Sequence, residues 1–444
     1  MDYKNKRILV CGIGKSGIAA ANLLYKNDAI VSIWDSKVSR LPKELENKNI
    51  SFFIGEELDF DVIILSPGVP YTLPFVKKAL ELGIYVIGEF ELGSSFYNKD
   101  IYAITGTNGK TTTTMLTSYI FSNVREIVTA GNIGIPITQI SSDKTCIAEV
   151  SSFQLETIDK FKPKIAAIIN ITPDHLDRHF TMENYINMKA KVFQNQNEFD
   201  YIILNHDNEY TKNMSSLAKS KVVFFTLENN TILFNENENI LIYNENDFEI
   251  ISKINNEKFT INIKDINLVG KHNIENIMVS SAIALIDGID VKIIENAIKS
   301  FKSPEHRIEY VEEINGIKYY NDSKATNPES SIKSIEALSK NGNLALIAGG
   351  RKKDVNYEDW ANIVKKHVAH IVIFGEDSFY LENICKNIGF ESIHISENLH
   401  HAVKYLRELR DIDIVLFSPA CASFDMFKDY EDRGKAFKSI VLNM

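Results

Sequence analysis

The stretch Ile101-Tyr-Ala-Ile-Thr105-Gly106-Thr107-Asn108-Gly109-Lys110-Thr111-Thr112 decides the fold of the central part of the chain. Its apolar beginning predicts a buried strand, and the residues after Gly109 predict a helix that runs to about Phe121. Backbone N–H groups of a glycine-bearing turn and the positive end of a helix together attract phosphate oxygens. We therefore predict a phosphate-binding loop.

The side chains of this loop have distinct predicted roles. Lys110 is predicted to reach the β- and γ-phosphates of a nucleotide, and the hydroxyl of Thr111 to be a Mg²⁺ ligand. Thr105 stands where the common form of the loop has a glycine, and the loop counted from Thr105 is one residue tighter than that form. The alternative is an ordinary glycine-rich turn with a chance lysine, but the flanking strand and helix favour a nucleotide site. The predicted nucleotide-binding residues of the loop are Gly106, Thr107, Asn108, Gly109, Lys110, Thr111 and Thr112.

Apolar runs that predict strands alternate with helical patterns along almost the whole chain. Such runs are typical of parallel strands buried on both faces, so the sequence predicts an α/β protein. Because 444 residues exceed one ordinary core, we predict domains at 1–95, 96–302 and 303–444. The Asn- and Glu-rich stretch 228–264 is predicted to be a small antiparallel excursion. The predicted strands include Ile8–Cys11, Val31–Trp34, Val62–Leu65, Ile101–Thr105, Ile147–Val150, Ile165–Ile169, Leu344–Ala348, Ile371–Phe374 and Ile414–Phe417.

A second glycine loop lies near the start of the chain. Gly12-x-Gly14-x-x-Gly17 follows a predicted strand and opens a helix, and Asp35 ends the next strand. Alone, this pattern is a dinucleotide fingerprint in which the acid binds a ribose hydroxyl. It fits equally any nucleotide diphosphate on a helix N-terminus. An NAD-dependent oxidoreductase would leave the loop at 105–112 unexplained, whereas an enzyme that joins a nucleotide-linked substrate to another molecule with ATP would use both.

Three further residues follow or lie near predicted strand ends, where function concentrates in α/β proteins. Glu149 is a candidate Mg²⁺ ligand, or else a surface acid. His175, in the polar turn Asn170–His179, is a candidate metal ligand or donor to a carboxylate, although a lone histidine is more often structural. Lys189, on the predicted helix Met182–Phe193, is by default a solvated lysine, and spacing alone gives it no role.

The composition excludes several classes of protein. Hydrophobic residues make up 44% and charged residues 24%, which is an ordinary globular balance. The net charge of −10 argues against a nucleic-acid-binding protein. No apolar run reaches the roughly 18 residues of a membrane span. We expect a cytoplasmic monomer whose cysteines are buried free thiols; these are Cys11, Cys146, Cys385 and Cys421.

Ordered motifs over essentially the whole chain resemble those of the Mur ligases. These motifs are Thr105–Thr111, Gly131–Gly134, Glu149–Glu156, Asn170–Asp177, Gly270–Asn276, His306-Arg307 and Asn321–Thr326. The resemblance implies a Rossmann-like N-terminal domain for a UDP-linked substrate and a P-loop ATPase-like central domain for ATP. It also implies a Rossmann-like C-terminal domain for the incoming amino acid.

Two motifs resemble one member of the family, the enzyme that adds D-glutamate to UDP-N-acetylmuramoyl-L-alanine in peptidoglycan precursor synthesis. They are Asn321–Asn327 and Ser418–Asp425. The implied reaction is amide formation through an acyl phosphate. The alternatives are another Mur-type or folylpolyglutamate-type ligase, an NAD-dependent oxidoreductase, and a non-catalytic nucleotide-binding regulator.

The resemblance also implies roles for individual residues. Glu149 with Thr111 would hold one Mg²⁺, and His175 with a carbamylated Lys189 a second. Catalytic roles fall to Lys110, Lys189, His175 and Glu149. The implied contacts to adenine and ribose are Asn273, Asn276, Arg307 and Asp322. Those to the UDP-linked substrate are Gly14, Asp35, Ser36, Ser66, Pro67, Gly68 and Asn132. Those to D-glutamate are Thr326, Lys353 (or its neighbour Lys352), Ser423 and Phe424, and Lys324 is a further substrate contact.

Overall fold

The computed structural model describes every residue except 1, 39, 47, 55–56, 141–142, 265, 267, 269 and 303. The described strands form three sheets, at residues 7–88, 101–262 and 309–417, which confirms the predicted α/β class. The chain packs as two compact units, Met1–Ile263 with Asn276–Ile298, and Lys264–Glu275 with Lys299–Met444. We keep 95 and 302 as proposed domain boundaries, since each falls between two sheets.

The first sheet has the strand order β3-β2-β1-β4-β5, and all its strand pairs are parallel. Its central strands are almost fully buried, as expected for strands covered on both faces. The strands are Arg7–Cys11 (β1), Ile30–Trp34 (β2), Ile50–Phe52 (β3), Val62–Leu65 (β4) and Tyr85–Gly88 (β5). The helices are Lys15–Lys26 (α1), Pro74–Glu81 (α2) and Glu89–Ser95 (α3).

The second sheet has the order β14-β13-β12-β11-β10-β9-β6-β8-β7. Its strands are Ile101–Thr105 (β6), Ile127–Gly131 (β7), Thr145–Glu149 (β8), Ile165–Ile168 (β9), Tyr201–Asn205 (β10), Lys221–Thr226 (β11), Ile240–Asn244 (β12), Glu249–Ile254 (β13) and Glu257–Asn262 (β14). The helices are Lys110–Ser122 (α4), Ser152–Leu155 (α5), Leu176–His179 (α6), Met182–Ala190 (α7), Glu209–Met214 (α8), Thr231–Glu236 (α9), Lys271–Ile286 (α10) and Val291–Ser300 (α11).

The predicted antiparallel excursion at 228–264 is confirmed as the antiparallel pairs β12–β13 and β13–β14. It is not a separate sheet, because β12 pairs in parallel with β11 and so extends the second sheet. Alternating burial along β13 shows that one face of this edge packs inward and the other meets solvent.

The third sheet has the order β15-β16-β20-β17-β18-β19, antiparallel only at β15–β16. Its strands are Glu309–Ile314 (β15), Ile317–Asn321 (β16), Leu344–Gly349 (β17), Val368–Phe374 (β18), Ile393–Ile395 (β19) and Ile414–Phe417 (β20). The helices are Pro328–Leu338 (α12), Glu358–His367 (α13), Ser378–Asn387 (α14), Leu399–Arg407 (α15) and Tyr430–Leu442 (α16).

Helix α4, which follows the phosphate loop, is fixed by hydroxyl groups as well as by apolar packing. Its threonines are buried, and Thr113 Oγ1 donates to Asn276 Oδ1 at 3.0 Å. One turn later, Thr117 Oγ1 donates to Ser280 Oγ at 3.1 Å. These contacts join α4 to α10, so the start of α4 is held by a neighbouring helix.

Two predictions from composition concern the whole chain. All four cysteines are free and buried, as predicted. Within the described residues, no helix combines the length and the apolar character needed to cross a bilayer.

Candidate active site

The phosphate loop turns sharply between β6 and α4. Gly109 precedes the helix with φ 86°, a left-handed conformation that favours glycine. A Cβ atom at Gly109 would lie 2.3 Å from Asn276 Oδ1, so the close approach of α10 also requires glycine. Asn276, an implied nucleobase contact, therefore lies against the loop backbone and bonds to Thr113.

The segment after β9 anchors the loop, which the sequence did not predict. Asn170 Oδ1 accepts from Asn108 N at 2.9 Å, and Asn170 O accepts from Thr107 N at 2.9 Å. Thr107 Oγ1 in turn contacts Thr172 O and Tyr185 OH, each at 3.1 Å. The sequence shows only that Asn170 follows a predicted strand; the observed strand order puts that strand next to β6, so the two strand ends meet at one edge of the sheet.

Two lysines converge on the same carbonyl of the loop. Lys110 Nζ donates to Gly106 O at 3.0 Å and to Thr107 O at 2.8 Å. Lys189 Nζ, from α7, donates to Gly106 O at 2.8 Å. When both amines are protonated they repel each other, and an anion placed here would relieve that repulsion. The structure thus brings together two of the predicted catalytic residues.

Lys189 is only 1% exposed, so the default expectation of a solvated lysine is wrong. Burial lowers its pKa well below the usual lysine value, and the nearby charge of Lys110 lowers it further. Asp174 and Glu149 act in the opposite direction. The neutral amine is consequently far more accessible here than on a solvated lysine. An amine must be neutral before it can react with CO₂.

Glu149 ends β8, next to β6 in the sheet, and is 1% exposed. Its Oε1 accepts from Asn132 Nδ2 at 2.7 Å. Its Oε2 is buried and has no hydrogen-bond partner among the described residues. A buried carboxylate oxygen without a donor fits a site that takes a cation.

We tested whether the residues present fit Mg²⁺. No group of three His, Cys, Asp or Glu side chains in the described part of the chain is arranged to hold a metal ion. Mg²⁺, however, is commonly bound by one or two carboxylates together with substrate phosphates. The unsatisfied Glu149 Oε2 and the buried Thr111 at the start of α4 provide that kind of donor set.

His175 lies at the start of the short helix α6 in the left-handed region, with φ 54°. Its Nε2 lies 3.6 Å from Asp174 Oδ2, and its ring stacks obliquely on Phe153 at 4.8 Å between centroids. The backbone conformation and the ring contact both fix the direction of the imidazole. The neighbouring His179 is buried and bonds to Ser152 Oγ at 3.0 Å, so it belongs to the packing of the turn.

The implied contacts of the first domain lie at the carboxyl edge of its sheet. Asp35 follows β2 and accepts from Ile13 N at 3.0 Å and from Lys37 N at 2.8 Å, so it shapes the glycine loop. Ser66 follows β4 and donates to Gly12 O at 3.1 Å. Gly14, Ser36 and Gly68 are exposed and Pro67 is half-buried at the same edge.

In the second unit, three neighbouring strands end in the loops that carry implied ligand contacts. The loop 321–326 ends β16, the loop 418–424 ends β20, and the loop 349–353 ends β17. Carboxyl ends of parallel strands are where α/β proteins bind ligands. In these loops Ser423 is buried, Lys324, Thr326 and Lys353 are half-buried, and Lys352 and Phe424 are exposed.

Asp322 is buried at the end of β16 and organises this edge. Its Oδ2 accepts from Ser334 Oγ at 2.6 Å and from Ser418 Oγ at 2.7 Å, and its Oδ1 accepts from Ile308 N at 3.3 Å. Burial raises the pKa of the carboxyl to about 6, although the two serines and Arg307 act against the rise. Near it, Arg307 has a buried Nε with no partner among the described residues, and Asn273 is buried in the same unit.

The raised pKa of Asp322 makes stability depend on pH. The carboxyl has a pKa of 3.8 when unfolded and about 6 when folded, so its contribution is largest below pH 4 and is lost as pH rises through 6. Relative to Asp322→Asn, the wild-type protein should lose about 2 kcal/mol of unfolding free energy between pH 4.5 and 7. Urea unfolding of both proteins across this range measures the difference. A difference that does not change with pH would show that the folded carboxyl titrates normally.

Comparison with known proteins finds Mur ligase domains along the chain. Profiles of the Mur ligase MurD-like N-terminal domain, the Mur ligase middle domain and the Mur ligase glutamate ligase domain match residues 6–88, 104–284 and 306–421, respectively. Among solved structures, MurC from Thermotoga maritima has a TM-score of 0.61 at 17% identity, covering 99% of both chains. MurF from Thermotoga maritima, solved with ADP, has a TM-score of 0.62 at 17% identity, covering 99% of this chain and 96% of its own.

Curated relatives match over their whole length. The UDP-N-acetylmuramoylalanine--D-glutamate ligase of Clostridioides difficile is 42% identical, with 100% of both chains covered. The enzyme of the same name from Caldanaerobacter subterraneus is 40% identical, again with 100% of both chains covered. Domain profiles in the predicted order and full-length relatives at this identity lead to one conclusion: the chain belongs to the Mur ligase family.

Proposed function

We propose that this protein is an ATP-dependent ligase that joins D-glutamate to UDP-N-acetylmuramoyl-L-alanine in peptidoglycan precursor synthesis. Relatives that are 40 to 42% identical over the full chain carry the name of that enzyme. The structural observation that carries the proposal is the meeting of Lys110, Lys189 and the phosphate loop at one sheet edge, beside the strand that ends at Glu149. A phosphate loop with lysines and an acidic residue beside it is the arrangement that enzymes of phosphoryl transfer use.

The proposed reaction has two steps. A carboxylate oxygen of the L-alanine residue attacks the γ-phosphorus of ATP, which gives an acyl phosphate and ADP. The neutral amine of D-glutamate then attacks the acyl carbon, and inorganic phosphate leaves as the tetrahedral intermediate collapses. The amine loses one proton in forming the amide. The net reaction makes one amide bond and converts ATP to ADP and phosphate.

Phosphoryl transfer requires positive groups around the γ-phosphate. We propose that Lys110 turns from the carbonyls of Gly106 and Thr107 to the β- and γ-phosphate oxygens, while the loop N–H groups hold the chain of phosphates. Mg²⁺, when bound, supplies charge neutralisation of the phosphate oxygens. Glu149 and Thr111 would hold one ion, and His175 with carbamylated Lys189 a second.

The burial of Lys189 supports its proposed modification. A solvated lysine is almost wholly protonated at neutral pH, whereas burial and the charge of Lys110 favour the neutral amine here. Addition of CO₂ to the neutral amine, with release of one proton, would give a negative carbamate. The carbamate would attract Lys110, whereas a protonated Lys189 would repel it.

The remaining contacts are proposed from the same assignment. For the UDP-linked substrate they are Gly14, Asp35, Ser36, Ser66, Pro67, Gly68 and Asn132. For adenine and ribose they are Asn273, Asn276, Arg307 and Asp322. For D-glutamate they are Thr326, Lys353 with Lys352 as the alternative, Ser423 and Phe424, and Lys324 is a further substrate contact. We also propose that the protein is a monomer and that it is cytoplasmic. The four free, buried cysteines support the location, because such thiols are typical of a reducing compartment.

Substrate identity is tested by product mass. The protein is incubated with UDP-N-acetylmuramoyl-L-alanine, ATP, Mg²⁺ and either D- or L-glutamate, with glycine, L-lysine and meso-diaminopimelate as further arms. We expect one amide product, with D-glutamate, and stoichiometric phosphate release. Preference for another amino acid would assign a different Mur-type reaction. Nucleotide binding without amide product in any arm would contradict the proposal and favour a regulator.

A further inference from the structure

Arg433, in α16, is fully buried at 0% exposure. Its Nε donates to Ser323 Oγ at 3.1 Å, and its Nη2 donates to Ser323 O at 2.8 Å. Its Nη1 donates to Cys421 O at 3.0 Å. No carboxylate in the described part of the chain forms an ion pair with this guanidinium. These three hydrogen bonds from Arg433 go to oxygens of two loops, which contain Ser323 and Cys421, so its role is structural.

These two loops carry most of the contacts proposed for the incoming amino acid. Ser323 lies in the loop 321–326, and Cys421 lies in the loop 418–424. The third loop, 349–353, is tied to the second by Arg351 N donating to Ala422 O at 3.0 Å and Ala422 N donating to Arg351 O at 2.8 Å. A Cβ atom at Gly350 would also lie 3.2 Å from Arg433 Nη1. The guanidinium is therefore packed where the three loops meet.

Tyr357 holds two of these loops, 349–353 and 418–424. Its buried hydroxyl donates to Ala420 O at 3.0 Å and accepts from Lys353 N at 3.2 Å. Ala420 has φ 59°, a left-handed conformation that is unfavourable for a residue with a Cβ atom. Such strain persists only where surrounding contacts over-determine the backbone. The bonds to Ala420 O and Cys421 O, from Tyr357 and Arg433, supply that constraint.

The positive charge of Arg433 also affects which ligands the loops favour. Burial lowers the pKa of the guanidinium to about 10, so it stays protonated at neutral pH. Removing a charged group from water is unfavourable unless its donors are satisfied and the charge interacts favourably nearby. Interactions with Cys421, Asp425 and Asp322 act against this lowering of the pKa. A fixed positive charge behind the loops favours a ligand that brings negative charge to them.

We propose that Arg433 and Tyr357 are positioning residues that assemble the pocket for the anionic amino acid, by bracing the loops 321–326, 349–353 and 418–424. This inference rests on the proposed function and deepens it. Neither residue is expected to contact substrate, because both are buried and bond to atoms of the loops.

The contacts that Arg433 and Tyr357 make should affect the binding of the amino acid more than the binding of the nucleotide. Asp322, the proposed ribose contact, is also held from outside these loops, by Ser334 Oγ in α12 and by Ile308 N. Arg433 and Tyr357 bond directly to loop atoms at or near Lys353, Ser423 and Thr326, which are proposed glutamate contacts. Weakening the contacts of Arg433 and Tyr357 should therefore change the apparent affinity for glutamate more than the apparent affinity for ATP.

The test uses Arg433→Lys, Arg433→Met and Tyr357→Phe in the full chain, with steady-state phosphate release measured for each substrate. For Arg433→Lys and Tyr357→Phe we expect KM for D-glutamate to rise about tenfold, while KM for ATP changes by less than about threefold. Arg433→Met should raise KM for D-glutamate further, because it removes both the positive charge and the hydrogen-bond donors of the guanidinium. Val441→Ala, a truncation in the same helix at a buried apolar position, is the matched control and should leave both KM values unchanged.

A lower kcat with an unchanged KM for D-glutamate in Arg433→Lys and Tyr357→Phe would overturn the inference and leave a purely structural role. If Arg433→Met does not fold, the other two variants decide. Failure of the proposed function appears separately, as absence of D-glutamate-dependent phosphate release in the wild-type protein. Thermal unfolding of every variant, compared with Val441→Ala, separates lost stability from lost positioning.

Discussion

Lys110→Ala should lower D-glutamate-dependent phosphate release by at least about a thousandfold, which corresponds to roughly 4 kcal/mol of lost transition-state stabilisation. The reason is geometric. Lys110 is the first residue of α4, and its Nζ lies 3.0 Å and 2.8 Å from two loop carbonyls, at the mouth of the phosphate cradle. Without it, the charge that develops on the transferred phosphoryl group loses its nearest side-chain cation. A coupled phosphate assay at saturating substrates measures the effect.

The control for this variant is Lys212→Ala, which removes an exposed lysine in α8 of the same unit and should leave turnover unchanged. Both proteins should unfold at similar temperatures, because Lys110 is half-buried and truncating it opens no large cavity. Turnover of Lys110→Ala within tenfold of the wild-type value would remove the loop lysine from the proposed mechanism.

Lys189→Ala should also reduce turnover by at least about a hundredfold. Lys189 Nζ is buried against Gly106 O, and the proposal requires a negative group at this position, not an ammonium. Acetate or formate at high concentration should restore part of the activity, because either anion can occupy the space left by the side chain. Lys189→Arg keeps the positive charge, blocks that space and cannot be carbamylated, so it should be inactive and should not be rescued.

Chloride at equal ionic strength separates specific rescue from a salt effect. Equal recovery with chloride and acetate would show that no carboxylate site exists at Lys189. Full activity in Lys189→Arg would likewise contradict the carbamylation proposal, since an arginine cannot supply the negative charge. The Lys110 and Lys189 variants test different side chains, so either prediction can fail without the other.

The sequence predicted the strands with buried parallel neighbours best. Val62–Leu65, Ile101–Thr105 and Ile414–Phe417 match the observed strands in both bounds. Such strands are covered on both faces and therefore appear as continuous apolar runs. The helix predicted at Met182–Phe193 was less accurate, because the α-helix ends at Ala190 and its last turn tightens into a 3₁₀ turn.

Contacts between distant residues were not predictable in the same way. Neither spacing nor composition indicated that Asn170 would hold the phosphate loop, or that Lys189 would be buried. Arg433 is the clearest case: it bonds to Ser323, which is 110 residues earlier in the chain. An arginine in a polar helix normally indicates a solvated side chain, and only the three-dimensional fold brings α16 behind the loops.

The burial of the four cysteines has a practical consequence. Burial raises the thiol pKa of Cys11, Cys146, Cys385 and Cys421, in the last three to about 12. Buried thiols that resist ionisation react slowly with maleimides and iodoacetamides. A single cysteine introduced at an exposed position could therefore carry a fluorophore or spin label in the otherwise native sequence, so that ligand-driven motion can be followed in the working enzyme.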